Sequence, residues 1–300
     1  MKNLIECVPN FSEGRNIDTI QAIEREIKSV EGVFLVDQSS DIDHNRSVFT
    51  LIGEDVAVGE AILRAATTVV KRVDMSFHQG VHPRIGAVDV VPFIPLRGAN
   101  HEDCIRLAAR TAERLWNELE VPSYLYGLAA QKVSHCRLEN LRRGGLEELI
   151  EVLPDAIERR PDVGSLVPHP TAGVCAVGVR NFLIAYNVEL TTQDLSIAQK
   201  IARFVRESSG GLPAVKALGL AMTDRGRTQV SVNLTDFRQT ALHTVFEMIQ
   251  AETARLGIEI AGTELIGLIP QEALRDAPKE FQKTFHRNQI LENRLKEVDL

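Results

Sequence analysis

Residues 78–87, HQGVHPRIGA, contain two histidines, an arginine, a proline and two glycines. Either histidine can exchange a proton near neutral pH, because imidazole has a reference pKa of about 6.5. Gly80 and Pro83 disfavour a helix, since glycine is a poor helix-interior residue and proline restricts the backbone of His82. The segment is therefore predicted to be a loop that presents titratable side chains at the mouth of the next strand.

General acid–base catalysis is the chemistry that this loop suits best. We predict that His82 is catalytic, because its prolyl neighbour restricts the backbone and holds one ring still. A hydrogen-bonded loop histidine is the alternative. For His78, a supporting role is as easy to assign as a binding role. Arg84 is predicted to act in catalysis as an anion clamp, for which its planar fork is well shaped, with a surface salt bridge as the alternative.

A metal site would be a different use of His78 and His82. The spacing H-x-x-x-H points two ligands the same way on a helix, and Gly80 and Pro83 argue against a helix. A third ligand could come from Asp89 or Asp43, but nothing in the sequence selects one. We therefore expect no metal.

A second polar segment, DQSSDIDHNRS (37–47), follows another predicted strand. Carboxylates commonly orient catalytic imidazoles, so Asp43 is predicted to assist catalysis and His44 and Asn45 to contact substrate. A solvated turn is the alternative, because Asp, Asn and Ser clusters usually form turns.

Two further polar residues are candidates for ligand contact. Asn10 lies in VPNFSEG (8–14), a predicted strand-to-helix connection that could equally be a simple turn and helix start. Arg180 could contact a polyanionic group, although a single surface arginine is commonly just solvated.

Composition places the chain among ordinary globular proteins. Its 300 residues are 44% hydrophobic and carry a net charge of −7, enough for two domains. The acidic balance argues against binding to nucleic acid or to an anionic membrane. Four scattered cysteines and no apolar run of about 18 residues indicate a reducing cytoplasm and no membrane span.

Hydrophobic periodicity predicts the same element order, β-α-β-β-α-β, in both halves. The predicted elements of the first half are an apolar segment at 4–11, helices at 18–30, 55–73 and 101–119, and strands at 33–37, 46–53, 88–96 and 123–129. Those of the second half are strands at 182–190, in VKALGLAM and TQVSVNLT, and at 263–269, with helices at 194–208 and 241–257.

This repetition predicts an α+β fold of two tandem ferredoxin-like subdomains, residues 1–180 and 181–300, with a ligand cleft between them. The Gly- and Pro-rich segment 159–180 is predicted to be a long irregular connection at that cleft, with a plain linker as the alternative. Residues 278–298 are predicted to form a terminal helix.

Five segments, in this order, resemble the glutamate formimidoyltransferase family. They are ECVPNFSEG (6–14), DHNRSVFT (43–50), HQGVHPRIGAVDVVPFIP (78–95), PSYLYG (122–127) and NFLIAYNVEL (181–190). The resemblance covers essentially the whole chain and is to the stand-alone form, which lacks the cyclodeaminase domain found in animal members.

The resemblance implies transfer of the formimidoyl group from N-formimidoyl-L-glutamate to N5 of tetrahydrofolate, with release of L-glutamate, in histidine degradation and one-carbon metabolism. It implies a cytoplasmic homodimer with tetrahydrofolate as co-substrate, and a separate cyclodeaminase protein for the next step. The histidine of the family's HPR triplet corresponds to His82 and is the acid–base catalyst. The family's folate loop corresponds to Gly164, Ser165, Leu166, Val167, Pro168, His169, Pro170, Thr171, Ala172 and Gly173.

Two departures from the family's pattern bear on function. Ser39 stands where animal members have an aspartate that assists catalysis, which leaves Asp37, Asp41 and Asp43 as substitutes. Ala172 stands where those members have a tryptophan in the folate loop. The alternatives are an enzyme that uses a formyl donor or 5-formyltetrahydrofolate, a metal-dependent hydrolase, and a folate-binding protein without activity.

Overall fold

A computed structural model describes residues 3–222 and 225–298. The chain is a mixed α and β protein that divides into two compact units at the bond between Arg180 and Asn181. Within the described residues, the first unit has a seven-stranded sheet and the second a four-stranded sheet. No helix in this part of the chain combines the length and apolar character that a bilayer crossing requires.

The elements of the first unit are β1 (Leu4–Cys7), β2 (Asn10–Phe11), α1 (Ile17–Lys28), β3 (Val33–Asp41), β4 (Arg46–Glu54), α2 (Asp55–Arg72), β5 (Val88–Pro95), α3 (His101–Leu119), β6 (Ser123–Gly127), α4 (Leu138–Leu141), α5 (Gly145–Val152) and β7 (Cys175–Val179). The strands and helices predicted between residues 18 and 129 are all confirmed. The short helices α4 and α5 lie in a segment for which the sequence analysis predicted no element.

Side-chain alternation along β1 separates the two faces of the first sheet. Ile5 and Cys7 pack in the main core with α1, α2 and α3. Glu6 therefore projects to the opposite face, where it is buried, and burial raises its pKa to about 7 against the opposing effect of Arg180. The loops of the candidate site lie at the ends of β2, β4 and β5.

The prediction of an irregular connection over 159–180 is wrong at its C-terminal end. Residues Cys175–Val179 form β7, which pairs in parallel with both β5 and β6. All five of its residues are buried, as is usual for a parallel strand covered on both faces. Gly178 weakens the strand pattern in the sequence, because glycine is uncommon in strand interiors. The position requires glycine, since a Cβ there would lie 2.3 Å from the carbonyl oxygen of Tyr126.

The elements of the second unit are β8 (Ile184–Leu190), α6 (Leu195–Val205), β9 (Val215–Met222), β10 (Arg227–Leu234), α7 (Leu242–Arg255), β11 (Ile260–Ile266), α8 (Lys279–Gln282) and α9 (Leu291–Glu297). Its strands are antiparallel in the order β11-β8-β10-β9. The predicted helix, strand, strand, helix and strand that follow β8 are confirmed.

The prediction of one terminal helix over 278–298 is wrong. Two short helices, α8 and α9, are separated by a 3-10 turn at Arg287–Gln289. The backbone N–H of His286 donates to the side-chain Oε1 of Gln289 at 2.8 Å. This donor is therefore paired without a helical hydrogen bond.

We predict that Glu6→Gln removes a pH-dependent loss of stability. A carboxyl whose pKa is raised in the folded state stabilises that state below its unfolded pKa, near 4.5, and this contribution is lost as pH rises through about 7. The loss amounts to at most about 3 kcal/mol, and glutamine cannot ionise. Urea unfolding of both proteins at pH 5 and pH 8 should therefore show Glu6→Gln gaining stability relative to the unmodified chain at pH 8.

The exposed Glu31 provides the control for this comparison. Glu31→Gln should leave the difference between pH 5 and pH 8 unchanged. An unaltered difference in Glu6→Gln as well would contradict an elevated pKa at this position.

Candidate functional site

Asn45 joins the three loops from which the site is built. Its Oδ1 accepts from the backbone N–H of Gly14 at 3.0 Å, and its Nδ2 donates to the carbonyl of Gln79 at 2.9 Å. Its own carbonyl accepts from Nε2 of His78 at 3.0 Å. Its φ of 47° lies in the left-handed region, which asparagine adopts more readily than most residues. The side chain therefore fixes the loops before β4 and β5 against each other.

Close backbone approach between these loops also depends on Gly80. A Cβ at this position would lie 2.3 Å from the carbonyl oxygen of His44. The backbone N–H of Val81 donates to the carbonyl of Asp43 at 3.1 Å, which ties the same two loops together. The prediction that residues 78–87 form a non-helical loop is confirmed.

His82 is half-buried against the guanidinium of Arg46, the first residue of β4. Arg46 Nη1 lies 2.6 Å from Nδ1 and 3.1 Å from Nε2 of the imidazole. Nδ1 also lies 2.8 Å from the carbonyl oxygen of Pro83, which can only accept. A neutral ring that donates from Nδ1 satisfies the Pro83 carbonyl, and its Nε2 lone pair then accepts from Arg46 Nη1. In that tautomer the contact between Arg46 Nη1 and Nδ1 joins two donors and is not a hydrogen bond.

Arg46 is held in place by its other donors. Nε donates to Oδ1 of Asn10 at 2.8 Å, and Nη2 donates to the same oxygen. Asn10 is itself fixed, because its Nδ2 donates to the carbonyl of Val8 at 2.8 Å. The amide of Asn10, predicted to contact substrate, is thus engaged by Arg46 and by the backbone.

A buried carboxylate, Asp89 on β5, lies between two guanidinium groups. Its Oδ1 accepts from the backbone N–H of Ile85 at 2.9 Å, and its Oδ2 accepts from Nη2 of Arg142. Arg46 Nη1 lies 3.9 Å from the same Oδ2. The Arg46 guanidinium that contacts His82 is thus also linked to Asp89 and, through it, to Arg142.

The pKa values in this cluster follow from burial and from these cations. Burial, Arg46 and Arg142 together hold the pKa of His82 well below its usual range. Burial and the neighbouring Arg142 lower the pKa of Arg46 to about 9, so the guanidinium remains charged at neutral pH. His82 is therefore neutral at pH 7, in the form that can accept a proton.

His78 and Arg84 form a supporting pair beneath this cluster. Arg84 Nε donates to Nδ1 of His78 at 3.2 Å, so His78 carries its proton on Nε2, where it meets the Asn45 carbonyl. The fork of Arg84 binds Glu147 on α5 in bidentate fashion, at 2.6 and 2.8 Å. An anion clamped by Arg84 would have to displace Glu147. Burial lowers the pKa of His78.

The other predicted residues of the segment 37–47 lie nearby. The ring centroids of His44 and His82 are 5.6 Å apart, and Asp43 is buried in the turn beside them. Oδ1 of Asp41 accepts from the backbone N–H of His44 at 2.7 Å. Asp37 lies within β3, opposite Thr50.

The predicted folate loop is anchored at its C-terminal half. His169 and Gly173 exchange backbone hydrogen bonds of 2.9 Å, and the carbonyl of Thr171 accepts from Met75 at 2.7 Å. Ala172 packs in the main core, whereas Leu166 and Val167 are 42% and 73% exposed. Arg180, at the end of β7, lies close enough to Glu6 to oppose the rise in that residue's pKa.

Sequence reasoning missed the cation cluster. Arg46 was not predicted as a site residue although it lies within the segment 37–47, and Asp89 was considered only as a metal ligand. Arg142 carried no signal, because it lies 53 residues from the Asp89 that it binds. In the described ranges, no three His, Cys, Asp or Glu side chains come together as metal ligands.

Comparison with known proteins gives matches along the whole chain. Residues 4–180 match the formiminotransferase domain, N-terminal subdomain, and residues 185–298 match the formiminotransferase domain. The chain is 41% identical to a glutamate formimidoyltransferase of Streptococcus pyogenes, over 98% of this chain and 99% of that one. It is 38% identical to a glutamate formimidoyltransferase of Thermoplasma acidophilum, over 99% and 98%. A formimidoyltransferase-cyclodeaminase of Mus musculus is 42% identical over 98% of this chain but 57% of its own length.

The role of Asn45 can be tested with two substitutions. Both Asn45→Ala and Asn45→Gly lose the bonds to Gly14 and Gln79, and only alanine adds the cost of a left-handed backbone. We expect Asn45→Ala to lower the free energy of unfolding by about 2–4 kcal/mol and Asn45→Gly by about 1 kcal/mol less. Urea denaturation measures both, with the exposed Asn117→Ala on α3 as a near-neutral control. Equal losses in the two variants would show that the backbone conformation is unstrained.

Proposed function

This chain belongs to the formiminotransferase family, and on that premise we propose that it transfers a formimidoyl group from N-formimidoyl-L-glutamate to N5 of tetrahydrofolate. The proposal extends to this chain the activity that its stand-alone relatives carry in their names. The single observation that supports it best is the position of the His82 imidazole, with Nε2 3.1 Å from Arg46 Nη1 and Nδ1 2.8 Å from the carbonyl oxygen of Pro83, where burial and the cations lower its pKa.

A neutral imidazole suits the proton accounting of this reaction. N5 of the reduced folate attacks the amidine carbon, which forms one C–N bond and gives a tetrahedral intermediate. The C–N bond to glutamate then breaks. N5 loses one proton and the departing glutamate nitrogen gains one, so His82 can accept the proton at Nε2 and return it. Positioned proton transfer of this kind contributes about 10²–10⁴ to the rate.

Other side chains of the cluster are proposed to hold the substrates. Asn45 and His78 keep the loops at a fixed separation, and His44, 5.6 Å from the His82 ring, is a candidate contact for the substrate. Asp43 is proposed as an assisting carboxylate, and Arg84 as a contact for a glutamate carboxylate if Glu147 yields its place. Asn10 would act mainly through Arg46.

Folate is proposed to bind against the loop Gly164–Gly173 of the first unit, and each of the two units is proposed to be ferredoxin-like. The duplication is supported by topology. In the first unit the order β3-β4-β1-β5 arises from the sequence β1-α1-β3-β4-α2-β5, and in the second the order β9-β10-β8-β11 arises in the same way. The exposed Leu166 and Val167 offer apolar surface for a pterin or aminobenzoyl group.

We predict that His82→Ala lowers the rate of transfer at least about 100-fold while tetrahydrofolate still binds, because the variant loses the proton carrier but keeps the loop. The assay supplies tetrahydrofolate and formimidoylglutamate, and follows glutamate release and the folate product. The exposed His101→Ala is the matched control and should retain the unmodified rate.

A wild-type rate in His82→Ala would refute the mechanism. With N-formyl-L-glutamate as the donor, we expect slower glutamate release. Faster release with that donor would replace the formimidoyl proposal with formyl transfer.

We also predict that Val167→Asp weakens tetrahydrofolate binding about tenfold, since a charged group replaces an apolar contact. Titration of folate fluorescence measures the dissociation constant. Val133→Asp is the control, because Val133 is 90% exposed and lies outside the loop. Equal affinities for Val167→Asp and Val133→Asp would remove the loop tip from the folate site.

A further inference from the structure

The charges around His82 are unusual for a residue that must carry a proton. Arg46 approaches from β4, Arg142 from the segment after α4, and Asp89 from β5, while His44 lies in the turn before β4. Asp43, a second buried carboxyl group, lies in that same turn. If His82 were protonated, it would be a third cation beside Arg46 and Arg142, and the Asp89 carboxylate is already bound by Arg142. Coulomb repulsion between like charges at such short distances disfavours that state.

We propose that Arg46 is a positioning residue for the reaction. Its guanidinium keeps the His82 imidazole neutral until the substrate proton arrives, and then favours transfer of that proton to the departing glutamate nitrogen. This inference rests on the proposed function, because it concerns the same proton transfer. Arg46 forms no bond to substrate in this role and acts through His82.

Geometry keeps Arg46 in this position. Nε and Nη2 are both bound to Oδ1 of Asn10, so the guanidinium plane cannot rotate away from the imidazole without breaking both bonds. Asp89 balances part of its charge at 3.9 Å but is itself bound more closely by Arg142. The carboxylate therefore stabilises the arginine without cancelling its effect on His82.

The same arrangement explains how the proton leaves. When Nε2 takes the proton from N5, its lone pair forms the new N–H bond, and the hydrogen bond that Nε2 accepted from Arg46 Nη1 is given up. The imidazolium that forms as N5 bonds to the amidine carbon lies next to two guanidinium groups. It therefore gives its proton to the glutamate nitrogen as the second C–N bond breaks, and His82 returns to its neutral form.

Nuclear magnetic resonance titration of the His82 ring tests the inference without substrate. The chain has 8 histidines, and the spectrum of His82→Asn identifies the missing signal. We expect the His82 pKa to rise by about 1 or more in Arg46→Gln, by less in Arg142→Gln, and least in Arg46→Lys, which keeps the charge. Arg143→Gln is the matched control, an exposed arginine next to Arg142, and should leave it unchanged.

Turnover supplies a second readout. In Arg46→Gln the acid limb of kcat/KM should move to higher pH by the same amount as the His82 pKa. The loss appears only at pH values below the His82 pKa, where the activity relative to the unmodified enzyme should fall about tenfold for each unit by which that pKa rises. Arg46→Lys should restore most of the acid limb.

An unchanged His82 pKa in Arg46→Gln would overturn the inference. If that variant does not fold, Arg46→Lys and Arg142→Gln decide. A His82 pKa that rises as much in Arg46→Lys as in Arg142→Gln contradicts a charge effect of Arg46. A His82 pKa in Arg142→Gln equal to that in Arg143→Gln contradicts an effect of the neighbouring cations. If the unmodified chain transfers the formimidoyl group but the His82 pKa is unchanged in Arg46→Gln, only the inference is contradicted. If the His82 pKa rises in Arg46→Gln but the unmodified chain transfers no formimidoyl group, only the proposed function is contradicted.

Discussion

The contact between the guanidinium of Arg46 and the imidazole of His82 sets the chemical state of this site. A histidine in water is close to half protonated near pH 6.5, whereas His82, half-buried beside Arg46 and Arg142, is held neutral. Asp89 offsets part of the free-energy cost of burying two guanidinium groups, because its carboxylate accepts from Arg142 and from the backbone N–H of Ile85. The Asp89 carboxylate and the hydrogen bonds of the cluster compensate part of its buried positive charge.

Two sets of hydrogen bonds tie the contact between Arg46 and His82 to the backbone. Asn10, on the short strand β2, holds Arg46 at the start of β4, and Asn45 holds the loop before β4 against the loop before β5. His78 and Arg84 then continue the network to Glu147 on α5. Each bond is modest alone, about 0.5–1.5 kcal/mol net, but removal of a partner leaves a buried polar group unsatisfied at larger cost.

The sequence predicted what depends on local pattern. Periodicity located the strands and helices between residues 18 and 129, and Gly80 and Pro83 correctly indicated a loop at residues 78–87. Prediction from the sequence failed where an element depends on packing against segments that lie far away in the chain. The strand β7 contains alanine and glycine and forms only because β5 and β6 lie on either side of it. Arg142 likewise could not be assigned to the site, because it belongs there through its bond to Asp89, and no local sequence pattern connects the two residues.

A comparison of the two units explains why the site belongs to one of them. Arg227 begins β10 as Arg46 begins β4, but its Nη1 binds Glu189 at 3.2 Å on an exposed surface. The connection from α2 to β5 spans residues 73–87, whereas the corresponding connection from α7 to β11 spans only 256–259. Four residues cannot carry a histidine back across the strand ends and also supply a backbone carbonyl like that of Gln79, which accepts from Asn45. The longer connection therefore carries His78 and His82 in the first unit, whereas the described residues of the connection 256–259 in the second unit include no histidine.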